Sequence, residues 1–471
     1  MRRFVKVFGN HLEDETGSPD ASRPVEKTKI RLNSLVTIPF MFNRVRWLQV
    51  KKWTFRMVEF GLVQGLVQAL TAIAGLLIVR TLAKQDYALF AIANSMQATT
   101  NLLADLGISI GVRSIGGRVC EDRQRFGQLL MAALTLRRWF ALASLGVTIP
   151  IAAWMLWRNG ASSLLTVGLC LTIIAGVIPL LESSVWITSL QLHGQYRRLQ
   201  KIDFSNALLR LAMIGGLLHF YLNVVTAALA AVVGNWYQLF WLRRFSTDYA
   251  DTAQPPHEED KKELKQISQK MLPNGIFFCL QSQISVWIIT VFGNASHVAE
   301  VSALGRIAVL FSILNTTMET IVIPRFSRCQ EPHRLLRRYF QLLAVCVIIS
   351  AALVGSAALC SKQFLWLLGP HYSHLKPELL LMLLSTVTSF IAGVMWTINA
   401  SRAWIKGANL YIPATIITQI VVLLFLNVST VRGVLIFSFL SVLPSIALNA
   451  YMAWAGFKHT FKTLSPVSAN S

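Results

Sequence analysis

The chain has 471 residues, 54% of them hydrophobic and only 14% charged, with a mean hydropathy of +0.52. Soluble domains carry about 25% charge, so a water-solvated globular enzyme is excluded and lipid is the expected solvent. The net charge of +22 invites a nucleic-acid reading, but the basic residues are dealt out by loop, as the chain order shows.

Residues 1–56 are polar and basic and lack the apolar stretch of a signal peptide. They are expected to form a cytoplasmic extension, with Phe40–Trp53, basic and aromatic, lying on the membrane surface. A bilayer core of about 30 Å asks for about 20 apolar residues per helix. Such runs predict twelve spans, at 57–79, 88–111, 137–157, 162–190, 204–222, 224–242, 272–292, 300–323, 339–360, 378–400, 410–427 and 432–456. They are too long and too evenly apolar for barrel strands. The fold class is therefore all-α integral membrane.

Span one carries Gln64, Gln68, Thr71 and Gly75 on one helix face, which fits either a wet cavity or interhelical hydrogen bonds. Gly61 and Gly65 make a GxxxG pattern, whose ordinary use is close helix packing. The turn that follows holds Arg80, Lys84, Asp86 and Tyr87. Asp105 lies some six residues from the inner end of span two, roughly 9 Å deep at 1.5 Å per residue. An ionisable group at that depth is a functional candidate by default, although a local arginine partner or a helix-capping role would also explain it. Span three opens on Arg137 and Arg138. In span four, Glu182 follows Pro179, a kink that marks either a hinge beside a polar cavity or a simple bend. Span five places Asn206 one turn before Arg210, which can snorkel or hold an anion in a cavity. Residues 246–271 are polar, with Pro255 and Pro256, and read as a linker. Span seven repeats the polar theme with Gln281, Ser282 and Ser285. Arg306 in span eight falls near the outer surface, within snorkelling reach, and Glu319 stands where Asp105 stands in span two.

Spans 1–6 and 7–12 thus read as parallel repeats about an axis along the membrane normal. The domain reading is a 1–56 extension, a first six-helix bundle at 57–245, a 246–271 linker, a second bundle at 272–458 and a 459–471 tail. Most Lys and Arg fall before span one or on alternate loops. The other side holds only Arg80, Lys84, Arg158, Arg306, Lys362, Lys376 and Arg432. By the positive-inside rule both termini are cytoplasmic, and the basicity answers anionic membrane lipids, not nucleic acid. There is no P-loop and no HExxH, and His371 with His374 is a weak metal signal. No catalytic residue, metal or bound cofactor is expected, only a coupling cation, Na+ or H+.

The stretch from Gly75 to Ser114 resembles the first two helices of bacterial polysaccharide flippases of the multidrug/oligosaccharidyl-lipid/polysaccharide (MOP) exporter superfamily. Arg80, Leu82, Asp86, Tyr87, Asp105 and Gly107 carry the likeness, Ala88 departs from it, and residues 190–210 and "PRFSR" at 324–328 add to it. The resemblance implies two six-helix bundles around a central cavity in a bacterial cytoplasmic (inner) membrane. It implies as cargo a lipid-linked oligosaccharide on undecaprenyl pyrophosphate, with polysaccharide polymerase and export machinery as partners, for O-antigen, exopolysaccharide or capsule biosynthesis. Arg210 would then contact the pyrophosphate or an acidic sugar, and Asp105, Glu182 and Glu319 would line the cavity, bind a coupling cation or pair with arginines. A cation-coupled multidrug antiporter of the same fold, and a membrane scaffold acting through the N-terminal extension, are the competing readings.

Overall fold

The computed structural model describes residues 61–220, 223–253, 255–308, 314, 326, 332–402 and 404–464. The N-terminal extension and Glu319 lie outside the described residues. Among the described residues the structure is all helix, without strands. In chain order the helices are α1 (Gly61–Thr81), α2 (Lys84–Asp105), α3 (Ile108–Val119), α4 (Arg123–Arg158), α5 (Ser163–Leu192), α6 (Tyr196–Phe220) and α7 (Val224–Ser246). There follow α8 (Glu258–Phe292), α9 (Ala295–Ile307), α10 (Pro332–Leu359), α11 (Ser361–Leu368), α12 (Lys376–Ser401), α13 (Tyr411–Phe425) and α14 (Val431–Leu464). Each expected span falls on one of them, wholly or in part. Nine of the described helices are long and apolar enough to cross a membrane. Large apolar side chains such as Leu164, Leu359 and Phe425 are more than four-fifths exposed, which suits hydrocarbon and not water.

Helix ends follow local chemistry. Asp122 caps α4 by accepting from the N–H groups of Gln124 and Arg125 at 2.9 and 3.1 Å. Asn223 and Thr226 exchange hydrogen bonds in a capping box at the start of α7, which separates the two closely joined spans at 204–222 and 224–242. Span two does not reach residue 111. The backbone turns left-handed at Leu106 (φ 34°) and Gly107 (φ 85°), ending α2 at Asp105 and starting α3. Only glycine takes that conformation without strain.

The linker is part of the fold and not a spacer. α8 begins at Glu258, so the helix-prone tail of 246–271 is the first turns of the same helix that forms span seven. Asp251 donates its N–H to the Arg123 carbonyl at 3.0 Å, and Arg125 Nη2 donates to Asp260 Oδ1 at 2.7 Å. Arg118 pairs with Glu263 at 2.7 Å. A Cβ on Gly127 would collide with the Asp251 carbonyl, so this docking requires glycine. At the other end of the sequence α14 continues to Leu464, beyond the expected start of a tail at 459.

Two apolar clusters hold the helices together. The larger gathers Ala74, Ile78, Tyr87, Phe90, Met96, Leu156, Leu304, Tyr372 and their neighbours. The smaller lies where α3, α4, α5, α7 and the start of α8 meet, around Phe126, Leu130, Trp186 and Leu264. We call the side of the α1–α2 turn the hairpin end and the side of residues 247–257 the linker end.

Candidate functional site

A cavity of about 1060 Å³ opens between α2, α8, α9, α12, α13 and α14. Its size is that of a pocket for one drug-sized molecule. Helical spacing builds the wall. Ser438, Ser441, Ser445 and Asn449 line it from successive turns of α14, and Ser385 and Ser389 from α12. Aromatic rings of Tyr87, Phe278, Trp396 and Tyr411 complete it. The polar groups partly satisfy each other. Ser95 donates to Gln283 at 2.8 Å, the Ser285 and Ser438 hydroxyls lie 2.6 Å apart, and Gln419 donates to Gln281 at 2.7 Å. The Ser302 and Ser441 hydroxyls are buried at the wall without a partner, so they are left for water or cargo. Among the described residues Arg306 is the single charged side chain of the lining.

Gln281, Ser285 and Tyr87 lie in this wall. Tyr87 is fully buried and its hydroxyl accepts from Arg306 Nε at 3.3 Å. The α1 residues Gln64, Gln68 and Thr71 are not in the lining of this cavity, and Thr71 donates its hydroxyl to its own helix, to Val67 O at 2.9 Å. Gly61 and Gly65 face open space instead of a packed helix, whereas Gly75 is where Arg306 passes, 3.3 Å from a Cβ built there. Arg80 stacks over the Trp366 ring at 4.5 Å, and Asp86 sits in the first turn of α2, where the helix dipole favours an acid.

Four acids away from the cavity, Asp105, Glu182, Glu300 and Glu378, have cationic partners. Asp105 is 3.2 Å from Arg137 and accepts from the Ser109 N–H and hydroxyl at 3.1 and 2.7 Å, so it both neutralises an arginine and caps α3. Glu182 is held between Arg138, at 2.6 Å, and Arg243. Glu378 accepts from Arg432 at 2.6 Å. Glu300 accepts from Lys84 and lies 3.2 Å from His374, so His374 has a structural partner. Among the described residues no group of three metal-ligating side chains occurs.

The α6 residues stand apart. Asn206 donates to Gln238 at 3.5 Å, against Gly234 of α7. Asp203, two turns before Arg210, accepts from Gln238 at 3.0 Å and has no cationic partner among the described residues. Arg210 has none of the described carboxylates beside it; the charge acting on it is Arg306. Sequence reading placed Arg306 near the outer surface. The structure starts α9 at Ala295, so Arg306 stands eleven residues in, roughly 17 Å along the axis. The serines of α12 and α14 went unread, although their spacing of three and four was there to be found.

No protein-family model matches the sequence, and no curated protein does. Solved structures do. An inward-facing multidrug resistance MATE family transporter of the MOP superfamily matches with a TM-score of 0.66 at 14% identity, over 84% of this chain and 96% of that one. An outward-facing form matches at 0.54 and 15% identity, over 86% and 93%. A Pyrococcus furiosus MOP superfamily transporter, whose binding pocket is described as of reverse polarity, matches at 0.50 and 15%, over 86% and 93%. The fold is therefore that of MOP transporters. The expectation of the polysaccharide branch is overturned, and with it the lipid-linked oligosaccharide cargo, the polymerase and export partners and the polysaccharide role, because the neighbours are MATE transporters. The misreading has a physical cause. Tyr87 and Leu82 are core residues, Arg80 packs on Trp366, and Asp105 with Gly107 makes the helix break. Those motif positions build the fold, and a fold does not choose a cargo.

Proposed function

We propose that this chain is a MATE-type antiporter that exports small amphipathic organic compounds and exchanges them for a cation. The observation that carries this reading is a large cavity with aromatic and hydroxyl walls, in a fold matched by both inward- and outward-facing transporters. Residues 57–245 and 272–458 act as two bundles that rock about the cavity. The Lys84–Glu300 and Tyr87–Arg306 contacts join α2 to α9 at the hairpin end. They close that end and part when the cavity opens there. Asp203 is the carboxylate suited to coupling, because its partner is the neutral Gln238 and a proton or Na+ would find it uncompensated. The protein works in a cytoplasmic membrane with both termini inside. Expression in a bacterial host stripped of its own efflux pumps tests this. Raised resistance to a panel of amphipathic drugs and active dye efflux support the reading, and unchanged sensitivity to the whole panel defeats it.

A further inference from the structure

Two guanidinium groups, those of Arg210 and Arg306, lie within the helical bundle without a described acid paired to them. Arg306 stands roughly 17 Å along α9 from its first residue, and Arg210 roughly 21 Å along α6 from Tyr196. Neither forms an ion pair with a described residue, whereas Asp105, Glu182, Glu300 and Glu378 are all taken by other cations. Arg210 instead feels the like charge of Arg306. Such an arrangement is costly in a medium of low dielectric, and an anion beside them would relieve both. Arg306 is placed to meet one. It lines the cavity, its Nε is steadied by the Tyr87 hydroxyl, and Gly75 gives the guanidinium room. The rest of the described wall offers hydroxyls, amides and four aromatic rings, with no carboxylate to attract an organic cation.

We propose that the cargo is a small aromatic anion, a ring bearing a carboxylate or sulfonate, whose charge is bound by Arg306. The guanidinium fork suits a planar oxyanion through two parallel hydrogen bonds. The unpartnered Ser302 and Ser441 hydroxyls can serve the same oxygens, and Trp396 and Tyr411 can take the ring. This inference rests on the exporter reading and narrows its substrate class.

The full-length protein, purified and reconstituted in liposomes, is tested with two dyes on one xanthene frame: fluorescein, an anion, and rhodamine 123, a cation. The wild type is expected to bind and move fluorescein at least tenfold better than rhodamine 123. Arg306→Ala should raise the half-saturating fluorescein concentration about tenfold or more with turnover at saturation little changed, and Arg306→Lys should recover part of the loss. An uncharged amphipathic drug owes nothing to the guanidinium, so Arg306→Ala should bind and move it as the wild type does. If Arg306→Ala weakens the uncharged drug as much as fluorescein, the role of Arg306 is structural and the inference falls. If the wild type prefers rhodamine 123, the inference falls and the exporter reading stands. If neither dye, nor any compound of the drug panel, is bound or moved, both fall together.

Discussion

The hairpin-end contact between α2 and α9 can be weighed quantitatively. The Glu300 side chain is 7% exposed and Lys84, its donor, 25%. Lys84→Ala leaves a buried carboxylate with His374 as its remaining partner. Breaking a buried pair from one side costs about 3–5 kcal/mol. Because Lys84 is a quarter exposed, screening by water reduces the figure to about 2–4 kcal/mol. If the contact exists only while the hairpin end is closed, that cost falls on the closed state alone. The equilibrium then moves toward opening by roughly 30- to 700-fold, at tenfold per 1.4 kcal/mol. The assay is labelling of a cysteine placed at Ser302, in the cavity wall, by an impermeant maleimide added from the hairpin side of a cysteine-free background. Lys84→Ala should speed labelling by tenfold or more, and the charge-swapped pair Lys84→Glu with Glu300→Lys should restore slow labelling. An unchanged rate in Lys84→Ala would refute the reasoning, since the ion pair would then contribute nothing to closure.

Other expectations follow from the same geometry. Glu182 is 5% exposed while Arg138 and Arg243 are about half exposed, so either arginine can be lost while the other still holds the acid. Arg138→Ala or Arg243→Ala alone should lower stability by about 1 kcal/mol or less, and the double replacement by about 3–5 kcal/mol, read by chemical unfolding in detergent; additive small losses would contradict the account. Asp203→Asn should leave dye binding intact and abolish the dependence of transport on an imposed cation gradient, and a variant that still responds fully to the gradient would remove Asp203 from coupling. Gly127→Ala should undock residues 247–257 from α4, because its methyl meets the Asp251 carbonyl; limited proteolysis at that segment should quicken severalfold.

Much of the fold was legible because lipid leaves the backbone little choice. A segment in hydrocarbon must satisfy its own hydrogen bonds, so long apolar runs become helices, and each expected span falls on one. The end of span two was harder. Apolarity continues through Ile108 and Ile110, and only the left-handed Leu106–Gly107 step, a helix-ending signal carried by the glycine, breaks the helix. That break turned Asp105 from a deep lone acid into a capped partner of Arg137. The site was less legible, because depth along a helix does not say which way a side chain faces. Gln64 and Gln68 make a tidy polar face but are not in the lining of this cavity, while Ser441 and Asn449 line it from a stretch that reads as ordinary span. Pairing is also invisible in one dimension. Glu182 and Arg243 are distant in sequence and joined in space, and Arg210 and Arg306 are distant and alike in charge.

The central claim is active export through the cavity, and transport by the purified chain tests it most directly. Liposomes holding the full-length protein, loaded with fluorescein, rhodamine 123 or an uncharged amphipathic drug, are given an inward Na+ or proton gradient. The account predicts gradient-driven movement of at least one of these cargoes, lost when the cavity is blocked by a maleimide at Ser302→Cys. No movement of any cargo under either gradient, from protein that remains folded and correctly inserted, would contradict it.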